Sequence, residues 1–160
     1  MSEILKAVLK LKNKKLVTFI TGGDPDFKTS NLILNKIIKN KIDIIEIGMP
    51  FSDPMADGPT IQLSSNRALK NGINLNDIFK LASNAKKLNS KLPIILMGYY
   101  NVILHYGIKN FVKNCVSNGV DGLIIVDLQP EEDEDLINEL KENNIDLIRL
   151  ITPTTDKDRL

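Results

Sequence analysis

The chain alternates between two kinds of segment. Short apolar runs of strand length are closed by glycine, proline, asparagine or aspartate, and each is followed by a longer stretch with helical spacing of its apolar residues. Nearly continuous isoleucine, leucine and valine suit strands covered on both faces, as in parallel sheets, and parallel strands need long crossovers between them. The runs lie at 16–21, 42–47, 93–97, 122–126 and 147–151. Helical stretches follow at 29–40, capped by Thr29 or Ser30, then at 60–70, at 74–88 capped by Asn74 or Asn76, at 107–118 and at 131–143. Asn71-Gly72 and Asn118-Gly119 are stop signals, and acidic residues open the last stretch, where the helix dipole favours them. An amphipathic helix is expected over 2–13, with Ile4, Leu5, Val8, Leu9 and Leu11 on its apolar side. The pattern predicts an α/β fold with five parallel strands in chain order and helices outside.

One run breaks the apolar rule. Ile42, Ile44, Ile45 and Ile47 form a buried strand, and Glu46 interrupts it on the same face as Ile44 and Gly48. A carboxylate in an apolar interior is either paired, protonated or in use. Gly48 and Pro50 end the strand, and the loop beyond carries Asp53, Asp57 and Gly58 before a helix opens after Pro59. Glu46 and Asp57 therefore flank one turn at a strand's carboxyl end, where α/β active sites gather. Glu46 could instead be a buried ion pair with a lysine, and Asp57 could be turn chemistry, since Asp-Gly-Pro turns unaided. Tyr99, Asn101 and Asp127 also follow strand ends, with packing, turn formation and helix capping as their plainer roles.

Composition narrows the function classes. A net charge of +1 gives no bias toward nucleic acid or an anionic membrane surface. No apolar run reaches the length of a membrane span, and no leader is visible. Cys115 is the only cysteine, so no internal disulfide forms, and a small apolar helix residue is its simplest role. His105 is the only histidine and has no partner at metal-ligand spacing, which argues against both a metal site and a catalytic triad. The turn at 22–25 is no phosphate loop, because it lacks the lysine and the spacing.

The run from Glu46 to Gln62, Glu-Ile-Gly-Met-Pro-Phe-Ser-Asp-Pro-Met-Ala-Asp-Gly-Pro-Thr-Ile-Gln, resembles the signature of the tryptophan synthase alpha subunit family. Gly-Asp-Pro at 23–25, Tyr-Tyr-Asn at 99–101 and Asp-Leu-Gln-Pro-Glu-Glu at 127–132 resemble that family's turns, with Gln129 replacing a proline. The resemblance implies a TIM-type (β/α)8 barrel, of which residues 1–160 would supply roughly the first five βα units. Such a barrel needs about 250 residues, so the expectation is a partial barrel domain ending after strand five, without the late glycine-rich phosphate loops.

The resemblance also implies a reaction. Indole-3-glycerol phosphate would split to indole and glyceraldehyde 3-phosphate by retro-aldol cleavage, a cytoplasmic step of tryptophan biosynthesis. It implies that Glu46 is the general acid/base and Asp57 the partner of the indole nitrogen. Phe19, Ala56, Met97, Tyr99, Ile124 and Leu150 would bind substrate. Asp53, Pro54 and Met55 would face the beta subunit in an alpha2-beta2 heterotetramer, with Gln129 also near that contact. No cofactor is expected in this chain, pyridoxal phosphate belonging to the beta subunit. Two other readings stand beside it: a non-catalytic module that docks on the beta subunit, and another phosphosugar barrel enzyme, against which the signature argues.

Overall fold

The computed structural model describes residues 14–129 and 132–159, together with Ser2, Ile4, Lys6 and Val8 ahead of them. Its centre is a sheet of five strands: β1 (Val17–Thr21), β2 (Ile44–Gly48), β3 (Ile94–Gly98), β4 (Gly122–Ile125) and β5 (Asp146–Ile148). The strands lie in chain order and every neighbouring pair is parallel, as the alternating pattern predicts. The crossovers are α1 (Phe27–Lys39), α2 (Pro59–Lys70), α3 (Leu75–Leu88), α4 (Tyr100–Tyr106), α5 (Ile108–Ser117) and α6 (Glu134–Glu142), and a 3-10 turn spans Lys157–Arg159. This is the topology of the first five βα units of a (β/α)8 barrel.

Period-two alternation divides the sheet's side chains between two clusters. Ile45, Ile47, Ile94, Leu96, Leu123 and Ile125 face the helices and meet Leu34, Ile78, Leu81, Phe111, Cys115 and Leu136 there. Ile44, Ile95 and Ile124 face the opposite, inner side. Ile4 joins them from the N-terminal segment, against the backbone of Gly122, where an added Cβ would come within 2.5 Å of Ile4 Cδ1. Ile4, Lys6 and Val8 are helical; the rest of the helix expected over 2–13 lies outside the described residues.

Element ends move where local polar chemistry differs from the pattern. Asp26, not Thr29 or Ser30, caps α1: its carboxylate accepts from Thr29 N at 2.9 Å and Thr29 Oγ1 at 2.8 Å. The Ser30 hydroxyl instead accepts from Gly23 N at 2.9 Å, inside the protein. Asn74 caps α3 in a capping box with Asp77. The stretch expected at 131–143 is helical only from Glu134, because Asp133 adopts a left-handed conformation (φ 53°) and its carboxylate accepts from Leu136 N. A separate short helix, α4, precedes the one expected at 107–118, and Gly107 (φ 87°) divides the two. β5 stops at Ile148, and the Arg149 guanidinium donates to the Leu128 carbonyl at 3.0 Å.

Candidate active site

The carboxyl ends of β1, β2 and β3 frame a narrow, partly open cleft, with Val126 beyond β4 on its rim. Phe19, Ile61, Met97 and Val126 supply apolar walls; Asp57, Tyr99, Thr21 and Ser65 supply polar groups. Gly48 leaves the space that the Phe19 ring uses: a Cβ there would lie 2.8 Å from Phe19 Cζ.

Glu46 sits one layer below this cleft. Its register neighbours on the inner face are Phe19 on β1 and Ile95 on β3. It is half-buried, and among the described residues no side chain or backbone group bonds to its carboxylate. The buried ion pair with a lysine is therefore not formed within the described chain. Burial alone raises the Glu46 pKa above its ordinary value, since ionisation in apolar surroundings is unfavourable. A carboxyl held towards the protonated form with its oxygens unengaged is free to exchange a proton with a bound molecule.

Asp57 is held by its loop. The Gln62 side chain donates to the Asp57 carbonyl at 2.8 Å, fastening the loop to the first turn of α2. Tyr99, only 2 % exposed, spans the cleft from β3, and its hydroxyl accepts the Ala56 N–H at 3.0 Å. Its ring packs on Phe51 with centroids 5.2 Å apart. Burial raises the Tyr99 pKa; the Ala56 N–H opposes this, and the nearby Asp57 carboxylate, as charge and hydrogen-bond acceptor, adds to it. Tyr99 thus stays neutral, with its hydroxyl near the Asp57 carboxylate. Asp127 does not line the cleft, and it caps α4 rather than the helix that follows it, its Oδ1 accepting from Tyr100 N at 2.7 Å.

The other positions separate. Phe19 and Met97 line the cleft, and Ala56 reaches it through its backbone. Ile124 lies beneath, against Ile44 and Ile95. Leu150 follows the end of β5, is 53 % exposed, and does not line the cleft. Asn101 lines a separate groove with Phe51, Val102 and His105. Asp53, Pro54 and Met55 form the outer edge of the β2–α2 loop, with Met55 79 % exposed. Sequence reasoning missed Thr21, Ser64 and Ser65; the one available signal was Ser65 four residues after Ile61, a polar residue on the inward side of an amphipathic helix.

Parallel βα units with converging polar groups at the strands' carboxyl ends define a class, the βα-barrel proteins that work from that end of the barrel. Comparison narrows it. The sequence profile of the tryptophan synthase alpha chain matches residues 5–160. The tryptophan synthase alpha chain of Geotalea uraniireducens is 50% identical over 151 residues, covering 94% of this chain and 56% of that protein. The Petrotoga mobilis alpha chain is 45% identical over 159 residues, covering 99% and 59% respectively. The crystal structure of tryptophan synthase subunit alpha from Legionella pneumophila superposes with a TM-score of 0.94 at 38% identity, covering 99% of this chain and 62% of that one. A tryptophan synthase structure from M. tuberculosis in an aminoacrylate-bound form superposes with the same TM-score at 28% identity, covering 99% and 65%. The chain belongs to the tryptophan synthase alpha chain family. It spans somewhat over half the length of the curated relatives it matches.

Proposed function

We propose that this chain carries the acid/base part of a site that cleaves indole-3-glycerol phosphate to indole and glyceraldehyde 3-phosphate. The observation that supports this most is Glu46: a half-buried carboxyl without a partner among the described residues, biased towards its protonated form, one layer below a cleft that holds Asp57. Glu46 gives its proton to the ring carbon bearing the side chain. The ring nitrogen becomes cationic, and the Asp57 carboxylate stabilises it. The Glu46 carboxylate then takes the proton of the side-chain hydroxyl. The carbon–carbon bond breaks, its electrons return to the ring, and the aldehyde leaves. Glu46 ends protonated, as it began, and no external oxidant or base is consumed. Phe19, Met97 and Ile61 give the ring apolar contact, and Tyr99 orients Asp57.

The partner in this reading is a tryptophan synthase beta subunit in a cytoplasmic alpha2-beta2 assembly, met by the exposed edge at Asp53, Pro54 and Met55. Pyridoxal phosphate is held by that partner. A module that only docks would have no use for a half-buried Glu46 that no described residue pairs with.

The test is Glu46→Gln, assayed for cleavage of indole-3-glycerol phosphate with excess beta subunit. Positioned acid–base catalysis contributes about 10²–10⁴-fold, and a group serving two steps belongs at the upper end of that range. The variant should still bind substrate. Wild-type turnover in Glu46→Gln would remove Glu46 from the mechanism.

A further inference from the structure

Three hydroxyls that the acid/base scheme leaves unused lie at or beside the cleft. Thr21 ends β1, and Ser64 and Ser65 lie in the middle of α2; they are 9%, 7% and 5% exposed. The Ser64 hydroxyl donates its one proton to the Ile61 carbonyl at 2.8 Å, so it accepts from the Thr21 hydroxyl at 2.7 Å. Thr21 has then used its proton and offers only lone pairs. Ser65 differs from both. It lines the cleft beside Thr21, and no described group bonds to it. A serine inside a helix ordinarily bonds to the carbonyl one turn back, as Ser64 does here, whereas Ser65 lies on the cleft wall without such a bond. Ser65 therefore presents a donor and an acceptor, and Thr21 an acceptor, to whatever occupies the cleft.

The spacing says which part of an occupant they meet. Asp57 stands just before α2, and Ser65 is almost two helical turns in, roughly 10 Å along the axis at about 1.5 Å per residue. A bicyclic aromatic ring with a hydrogen bond of about 2.8 Å at each end spans a distance on that order. We propose that Ser65, with Thr21 beside it, is a specificity-determining residue that reads the ring edge remote from Asp57. The site then favours an indole bearing a hydroxyl on that edge over the unsubstituted ring. A hydroxyl fits because it donates to the Thr21 lone pair and exchanges a second bond with Ser65; under a plain ring a water takes that place. This inference rests on the indole reading of the cleft.

The chain contains no tryptophan, so the fluorescence of an added indole reports its own binding. The experiment titrates wild type, Ser65→Ala and Ser65→Thr with indole and with hydroxyindoles substituted at each carbon of the six-membered ring. One hydroxyindole should bind wild type about tenfold more tightly than indole does. Ser65→Thr should keep most of that ratio, and Ser65→Ala should bring it close to one. The Tm of Ser65→Ala should not fall, because the deleted hydroxyl has no partner among the described residues and alanine is the better helix former. A fall in Tm would make Ser65 a structural residue and overturn the proposal. So would equal binding of all the indoles by wild type, or a preference that survives Ser65→Ala, and either leaves the indole reading standing. Failure of indole and every derivative to bind would overturn both together.

Discussion

Glu46 shows how one residue can be legible in a sequence while its state is not. The sequence marks it as a lone carboxylate in an isoleucine strand; the structure shows a carboxyl without a partner among the described residues, whose pKa is raised by burial. Because the folded chain holds this proton to higher pH than the unfolded chain does, the associated stability is complete below the ordinary value of 4.5 and is lost as pH rises through the folded-state value. Glu46→Gln abolishes this titration. Its Tm should exceed that of wild type at neutral pH, with the gap closing in melts taken below about pH 4. A variant that melts lower than wild type at neutral pH would mean that the ionised carboxylate has a stabilising partner. Tyr99→Phe addresses the second carboxylate. It removes the acceptor for Ala56 N and the hydroxyl that lies near Asp57. Turnover should fall while the apolar wall remains, and unchanged kinetics would show that Asp57 needs no orienting group.

At the scale of elements, α2 is the piece that carries the site, and it is tied to the β1–α1 turn at several points. The Arg67 guanidinium makes two 2.8 Å bonds to the Asp24 carboxylate, and Asn71 donates to the Pro25 carbonyl. Small buried residues, Ser64, Ser65 and Ala68, let the helix lie close to the sheet. The turn itself tolerates little: Gly23 has φ 81°, and a Cβ there would come within 2.5 Å of Ile73 Cγ1. Gly23→Ala should cost at least about 1–3 kcal/mol by overpacking and strain, read as a shift in urea midpoint. On the neighbouring helix, Asn74→Ala deletes a capping box and should cost about 1 kcal/mol. In the sheet, Ile47→Ala should cost roughly 2–5 kcal/mol, since Ile47 is completely buried between β2 and the helices. An Asn74 variant as costly as the Ile47 one would contradict the view that caps trim stability while the core supplies it.

For the whole molecule, the governing fact is that β1 and β5 each pair on one side only among the described residues. Val17 on β1 and Leu150 and Ile151 beyond β5 are exposed, and the inner-face residues Met97, Val126 and Ile148 are only partly covered. Unpaired strand edges beside apolar surface are templates for association. The 160-residue chain by itself should therefore elute from size-exclusion columns at a volume that shifts with concentration. A monomer at every concentration, with one sharp cooperative melt, would show that the exposed edges are harmless.

Apolar periodicity was enough to foretell the elements and the helix-facing core, because a period of two or 3.6 is a local property written directly in residue order; the parallel pairing and strand order followed from the strand–helix alternation together with the crossover rule. The signature loop likewise made Glu46 and Asp57 legible before any coordinates. Other features depend on atoms far apart in the chain. Asp127 caps a helix that begins 27 residues earlier, the Tyr99 hydroxyl reaches Ala56 across 43 residues, and Thr21 bonds to Ser64 at the same separation. Leu150 as an indole contact was implied by the family resemblance alone; in this chain β5 ends at Ile148, and the Leu150 side chain is 53 % exposed. Local spacing states which face a residue occupies. Which polar atoms on facing elements come within hydrogen-bond distance depends on how helices and sheet pack, and that packing left Glu46 and Ser65 without partners among the described residues.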